Sequence, residues 1–232
     1  MEAAFDIIGP VGGKISLFQT QLPMVVQPLP GTDATAEMNH GGLAKPGRGA
    51  DGRTLGGPRE HDFLQTASPW YTNRAEQFSK QLISIDLYVC AARYIDVPTT
   101  GELSHLTAGR VRYYPRFHAQ RDGERLLRDV ERSLLSCTAL EAGMRVRASA
   151  GVRVTKFYGS FTMRFRDLLA LPVMDTDGNY VFEFSYDEDA LTGQVLAVQS
   201  AVLYTTMSGE RRYAIFIFWC LRTAVMNKQT KH

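Results

Sequence analysis

GGKISLFQTQLP, residues 12–23, is the first of two stretches that decide the fold of this chain. Its two leading glycines precede a short apolar run, Lys14 to Phe18, which predicts a strand. The second stretch is QSAVLYTTMSGERR, residues 199–212, where alternating apolar residues predict a strand that ends at a Ser208-Gly209 turn. The segments around these two stretches predict two different kinds of sheet.

Strands and helices alternate in the first half of the chain, residues 1–115. After Lys14 to Phe18, the pattern predicts a helix that starts at Ser68-Pro69 and a strand from Ile83 to Val89. A short helix from Thr99 to Leu106 and a strand from Arg110 to Tyr114 follow. This order is typical of a parallel sheet, here half of an α/β domain. Residues 24–62 are rich in glycine and proline and predict a disordered insertion.

The second half, residues 116–221, changes from helical to strand periodicity. A helix is predicted from Asp122 to Leu135, with one apolar stripe (Leu126, Leu127, Val130, Leu134) and the i,i+4 pairs Glu124–Arg128 and Arg125–Asp129. The strands predicted after it are Met144–Ala148, Met163–Arg166, Tyr180–Tyr186, Val195–Thr205 and Arg212–Leu221. Short alternating strands of this kind predict an antiparallel β-sandwich. Residues 222–232 form a polar tail.

Composition excludes several classes of protein. The 232 residues are 44% hydrophobic and 22% charged, with a net charge of +2, so the chain is no polycation and no nucleic-acid partner is expected. Three scattered cysteines indicate a reduced, cytosolic chain rather than a disulfide framework. No apolar run approaches the roughly 20 residues that span a membrane. No nucleophile, phosphate-loop or metal-ligand motif occurs, so no catalytic residue and no metal site are predicted.

Many short motifs follow one another in an order that resembles a known family, the cargo-adaptor (Sec-twenty-four) family of the COPII vesicle coat. The resemblance begins with residues 12–23 and Asp86-Leu87-Tyr88-Val89, and continues through Tyr113 to His118 and Leu140 to Arg147. Asp167 to Pro172 and residues 199–212 complete it, so it covers about residues 1–212. The resemblance implies the second half of a von Willebrand A-like trunk followed by a β-sandwich. After Arg212 the sequence departs from the family pattern.

The family implies a function in binding rather than catalysis. A member would take part in cargo selection and vesicle budding from the endoplasmic reticulum, as a cytoplasmic protein peripheral to exit sites and vesicles. Its implied partners are the GTPase-activating subunit of the same coat, cargo export signals and an anionic membrane surface. Zinc is implied only for a ribbon domain outside these residues, so no cofactor is expected here. The alternatives are the GTPase-activating subunit itself and a generic lipid- or calcium-binding β-sandwich.

Basic residues alternate with apolar ones along the predicted sandwich. They are Arg145, Arg147, Arg153, Lys156, Arg164 and Arg166. If they share one sheet face, with Met144, Val146, Met163 and Phe165 packed on the other, they would attract anionic headgroups at about 1 kcal/mol per charge. The alternative is the solvated face of a half-buried sheet.

An acidic stretch surrounds Asp175-x-Asp177-x-Asn179. Oxygen ligands at alternate positions permit a calcium loop, but no closing glutamate follows at the EF-hand spacing. The pattern therefore favours a hairpin turn at Asp177-Gly178-Asn179.

Overall fold

The structure is a computed structural model that describes residues 2–21, 64–66, 68–92, 95–186 and 195–221. The insertion predicted to be disordered, 24–62, and the polar tail, 222–232, lie outside these residues. The helices are α1 (Glu2–Ile8), α2 (Pro69–Lys80), α3 (Val97–Leu106) and α4 (Ala119–Leu135). The strands are β1 (Gly13–Gln19), β2 (Ile83–Val89), β3 (Val111–Tyr113), β4 (Cys137–Ala148), β5 (Val152–Tyr158), β6 (Thr162–Phe165), β7 (Leu168–Asp175), β8 (Val181–Tyr186), β9 (Val195–Thr206) and β10 (Arg211–Leu221).

The first half contains the predicted parallel sheet, in the order β1-β2-β3. All seven residues of β2 are buried, because helices cover both faces of this central strand. On one face Ile83 and Ile85 pack with Phe78 of α2 and Leu103 of α3. Asp96 caps α3 by accepting the Thr99 backbone N–H at 3.1 Å, which explains why this helix starts earlier than predicted.

Helix α4 covers the other face of the parallel sheet. Leu126 and Val130 pack against a cluster of Tyr88, Cys90 and Tyr114, and the Tyr114 hydroxyl donates to Asp129 at 2.6 Å. The i,i+4 pairs Glu124–Arg128 and Arg125–Asp129 are confirmed, at 2.9 and 3.9 Å. Helix α4 therefore packs as part of the α/β half of the structure. The domain boundary expected after residue 115 stays a prediction.

The predicted apolar stripe on α4 is wrong in part. Leu126 and Val130 face the sheet, but Leu127 and Leu134 are 69% and 62% exposed. At 100° per residue, Leu127 lies a quarter turn away from Leu126, and the sheet covers only a narrow side of the helix. Buried Ser133, rather than Leu134, completes the covered side.

The second half forms the predicted sandwich from one sheet of five strands and one of two. The larger sheet has the order β10-β9-β4-β7-β6, and the smaller one pairs β5 with β8; every pairing is antiparallel. Met144, Leu171 and Val202 of the larger sheet pack with Phe157 and Phe182 of the smaller one. The fold class expected from the sequence is therefore confirmed, with β5 and β7 as strands additional to those predicted.

The hairpin predicted at Asp177-Gly178-Asn179 is wrong. Gly178 does make a tight turn, since its N–H donates to the Asp175 carbonyl at 3.3 Å. However, the turn connects β7 of the larger sheet to β8 of the smaller one. The turn therefore passes the chain between the two layers of the sandwich.

Candidate binding surface on the five-stranded sheet

The larger sheet has one face toward the sandwich core and one away from it, here called the outer face. In β4, Ala142, Met144 and Val146 point into the core. Gly143, Arg145 and Arg147 alternate with them and belong to the outer face. Antiparallel partners share a face, so Leu203 and Ala201 of β9 are on the outer face beside Gly143 and Arg145.

Arg145 and Arg147 lie together on this outer face, as the sequence predicts. Arg145 forms an ion pair with Asp167 at 3.1 Å, with both side chains about 40% exposed. Arg147 is exposed, and Arg166 is exposed in the turn that joins β6 to β7. Arg145 and Arg147 are thus basic residues of the outer face, and Arg166 lies at the adjoining turn.

A β-bulge at Arg164 breaks the alternation predicted for β6. Met163 pairs with Leu169, whereas Phe165 pairs with the adjacent residue Leu168. The extra residue moves Phe165 to the outer face, where it is 70% exposed, so its predicted position in the core is wrong. The displaced Arg164 donates to the Ser79 carbonyl of the α/β half at 3.4 Å.

Arg153 and Lys156 lie on the other side of the sandwich, so the six basic residues do not share one face. Both are exposed on the smaller sheet, while Val154 and Phe157 between and beside them pack into the core. Arg153 donates to Ser185 at 3.1 Å, and Lys156 pairs with Glu183 at 3.1 Å. Hydrogen bonds from Tyr158 and then from Lys156 lower the pKa of the Glu183 carboxyl.

An open pocket of about 390 Å³ occupies the outer face where the sheet meets the α/β half. Its apolar lining includes Leu168, Ala170 and Leu203 of the sheet and Leu82 of the turn before β2. Its charged residues are Glu141, Arg164 and Arg211. Gly143 also lines the pocket, and because glycine has no side chain it leaves space there.

Glu141 shapes the edge of this pocket through an irregular backbone. Its φ of 51° is left-handed, and the pairing of β4 with β9 shifts register between Leu140 and Gly143. The Glu141 carboxylate accepts from Thr205 at 3.1 Å and from Arg211 at 3.4 Å. Arg211 is thus neutralised locally. Within the described residues no carboxylate lies within ion-pair distance of Arg164, which leaves it as the available positive charge of the pocket.

Two of the acidic residues that suggested a calcium loop, Asp175 and Asp177, join the larger sheet to the α/β half. Arg110 contacts Asp175 and donates to Asp177 at 3.2 Å, and Arg132 of α4 donates to Asp177 at 2.9 Å. The hydrogen bond from Arg110, with the nearby Arg132, lowers the pKa of Asp177. In the described part of the chain, no group of three or more His, Cys, Asp or Glu side chains could hold a metal ion.

Sequence reasoning missed the pocket and the exposure of β10. The pocket depends on a bulge, a glycine and a turn from the other half, and no local pattern shows these together. The signal for the exposure of β10 was present in the sequence, since Tyr213 to Leu221 contains no charged residue.

Among the described residues, no helix is long and apolar enough to cross a membrane.

Comparisons with known proteins give a consistent result. The family model of the Sec23/Sec24 trunk domain matches residues 1–134, and that of the Sec23/Sec24 beta-sandwich domain matches residues 139–216. Protein transport protein SEC24 A of Arabidopsis thaliana is 35% identical over 93% of this chain and 19% of its own length. Protein transport protein sec24 of Aspergillus terreus is 36% identical over 93% of this chain and 22% of its own length. The crystal structure of the human COPII-coat protein Sec24c matches with a TM-score of 0.81 and 28% identity, over 95% of this chain and 28% of that one.

Proposed function

The chain belongs to the Sec23/Sec24 family, and we propose that it acts in the inner COPII coat by binding short export signals of cargo proteins. Its relatives named above are Sec24 proteins, which confirms the resemblance found in the sequence. The chain spans about a fifth of the length of these curated relatives. The cargo, the coat partner and the site of action are therefore proposals for this chain.

The pocket at the junction of the two halves carries this proposal. It combines an apolar lining (Leu82, Leu168 and Leu203) with Arg164, which among the described residues is the one of the pocket's two arginines that has no carboxylate partner. A ligand that fits both features has an apolar side chain and a carboxylate a few residues apart, as an acidic peptide does. Arginine–carboxylate hydrogen bonds are among the stronger polar contacts because both groups are charged.

A peptide-binding measurement tests the pocket. The probe is a set of fluorescent octapeptides in which one Glu stands at varied distance from one Leu, each with a Gln counterpart. We expect the Glu peptides to bind more tightly, and Arg164→Glu to weaken the best of them at least tenfold, which corresponds to about 1.4 kcal/mol.

Arg153→Glu is the matched control, because Arg153 is equally charged but lies on the opposite side of the sandwich. It is expected to leave affinity unchanged within twofold. Equal losses from both variants would show that net charge alone attracts the peptide. No loss from Arg164→Glu in a folded protein would remove the pocket as the binding site.

The basic residues of the outer face support a second function, docking on an anionic membrane. Arg145, Arg147 and Arg166 stand on or beside one face; Arg147 and Arg166 each add about 1 kcal/mol near such a surface, and Arg145 adds less because it is paired with Asp167. Changing these three to Gln should reduce co-sedimentation with phosphatidylserine vesicles, and salt should weaken the binding because the Debye length is about 8 Å at 0.15 M.

Arg153→Gln with Lys156→Gln is the control for this experiment, since both residues lie on the smaller sheet. A larger loss from that pair would assign membrane contact to the opposite side of the sandwich.

The remaining parts of the proposal follow the family: a non-catalytic subunit, paired with the GTPase-activating subunit of the coat, at exit sites of the endoplasmic reticulum. The GTPase-activating role itself is disfavoured, because the relatives named above are all Sec24 proteins.

A further inference from the structure

Strand β10 exposes apolar side chains on both faces at the edge of the larger sheet. It pairs only with β9, so its other side is unpaired within the described chain. Tyr213 and Trp219 are each 76% exposed, and Phe218 is 65% exposed. The full set of exposed apolar residues is Tyr213, Ile215, Phe216, Ile217, Phe218 and Trp219.

This exposure exceeds what an isolated soluble domain normally tolerates. The six side chains together present on the order of 700 Å² of apolar surface, divided between the two faces of the strand, against roughly 300–600 Å² for the largest patch of a typical monomer. The strand also lacks the residues that usually prevent an edge strand from pairing with another chain, since Tyr213 to Leu221 contains neither proline nor a charged residue. An unpaired strand of this kind is a template for another strand.

We propose that β10 pairs with β10 of a second copy of this chain, in an antiparallel arrangement centred on Phe216. This register is the one that pairs all eleven residues of Arg211–Leu221. It preserves the two faces, because residues of equal parity lie opposite each other. The two five-stranded sheets then form one continuous ten-stranded sheet.

The side chains of β10 are compatible with those of a second β10 that runs in the opposite direction. In this register Tyr213 lies opposite the second copy's Trp219, and Ile215 lies opposite its Ile217, all on the outer face. Phe216 lies opposite Phe216 of the second copy, on the core face. Aromatic and β-branched partners of this kind are the favourable cross-strand pairs.

The charges are also compatible with self-pairing. The cations of the strand, Arg211 and Arg212, stand together at its beginning and come opposite Leu221 and Cys220. The two arginine pairs are then separated by roughly 30 Å along the strands, at about 3.4 Å per residue. Like charges directly opposite each other, which would destabilise the pair, do not arise.

The available area predicts a modest affinity. A neighbouring strand covers only part of the exposed apolar surface, so each copy buries less than the roughly 800 Å² of a standard interface. We therefore expect the 232-residue chain to be monomeric at low micromolar concentration and increasingly dimeric at tens to hundreds of micromolar.

Sedimentation velocity over 1–200 µM tests this proposal. Phe216→Lys places a charge at the centre of the strand and should shift the midpoint of dimerisation at least tenfold higher. Phe165→Lys is the control, because Phe165 is 70% exposed on β6 at the opposite edge of the same sheet. A wild-type chain that stays monomeric at 200 µM, or a dimer equally affected by both variants, would overturn the proposal.

Disulfide trapping tests the register without requiring the lysine variant to fold. In a Cys220→Ser background, Phe216→Cys should form an intermolecular disulfide rapidly, because the two copies of residue 216 face each other. Phe218→Cys should form it at least tenfold more slowly, because residue 218 lies opposite Ala214. Equal trapping at both positions would refute this register. A third outcome is that the wild type forms no dimer but binds neutral vesicles, and that Phe216→Lys loses this binding. That result would show that the strand contacts lipid, and it would refute self-pairing.

Discussion

Asp86 is the buried charge on which the packing of helix α4 depends. Its side chain is 1% exposed and forms an ion pair with Lys14 of β1 at 2.8 Å. It also accepts the Arg110 backbone N–H at 2.9 Å and contacts the Ser133 hydroxyl of α4. Lys14 in turn donates to the Ser133 hydroxyl at 2.8 Å. One carboxylate therefore joins two strands, a loop and a helix.

Replacing Asp86 by Ala should be among the most destabilising polar substitutions in the protein. The change leaves the Lys14 ammonium, whose side chain is 13% exposed, without its counterion. Removing one partner of a buried pair typically costs 3–5 kcal/mol, so we expect a loss of about 4 kcal/mol. At roughly 2–4 °C per kcal/mol for a protein of this size, the melting temperature should fall by about 10 °C.

Urea unfolding followed by circular dichroism measures this loss. Asp167→Ala is the matched control, because its pair with Arg145 is exposed and should contribute about 1 kcal/mol or less. Adding Lys14→Met to Asp86→Ala should recover part of the loss, since it removes the unpaired charge. If Asp86→Ala costs no more than Asp167→Ala, or if Lys14→Met makes the loss larger, the reasoning is refuted.

Three further predictions concern local features. Gly109→Ala should lower the free energy of unfolding by at least about 3 kcal/mol in thermal melts, because an added Cβ would lie 1.9 Å from the Ile85 carbonyl oxygen. Gly123→Ala lies on α4, where an added Cβ would have no atom within 4 Å, and should raise the free energy of unfolding by about 0.5–1 kcal/mol; a change of the same sign in both variants would refute one of the two predictions. Hydrogen bonds from Arg121 and the His118 N–H lower the pKa of Asp122 to about 2, below its unfolded value of about 3.9, so stability should fall as pH drops from about 4 to 2. Asp122→Asn should flatten that part of the melting-temperature profile, and parallel profiles would count against the assignment.

The sequence alone determined the elements whose signal is local. The alternation of strands and helices around β2 predicted a parallel sheet, because parallel strands are joined by helical crossovers, and β2 pairs in parallel with both of its neighbours. The pairs Glu124–Arg128 and Arg125–Asp129 followed from helical spacing and are observed. The order of short motifs identified the family, since each motif matches independently of the others.

Only the tertiary structure decided which residues form the candidate site. Strict alternation placed Phe165 in the core, but one extra residue at Arg164 moved it to the outer face. The predicted basic face separated into two because Arg153 belongs to the smaller sheet, and alternation cannot assign strands to sheets. Lys14 and Asp86 are 72 positions apart and meet through the parallel register of β1 and β2. Register, bulges and sheet membership depend on contacts between distant segments, so local periodicity does not contain them.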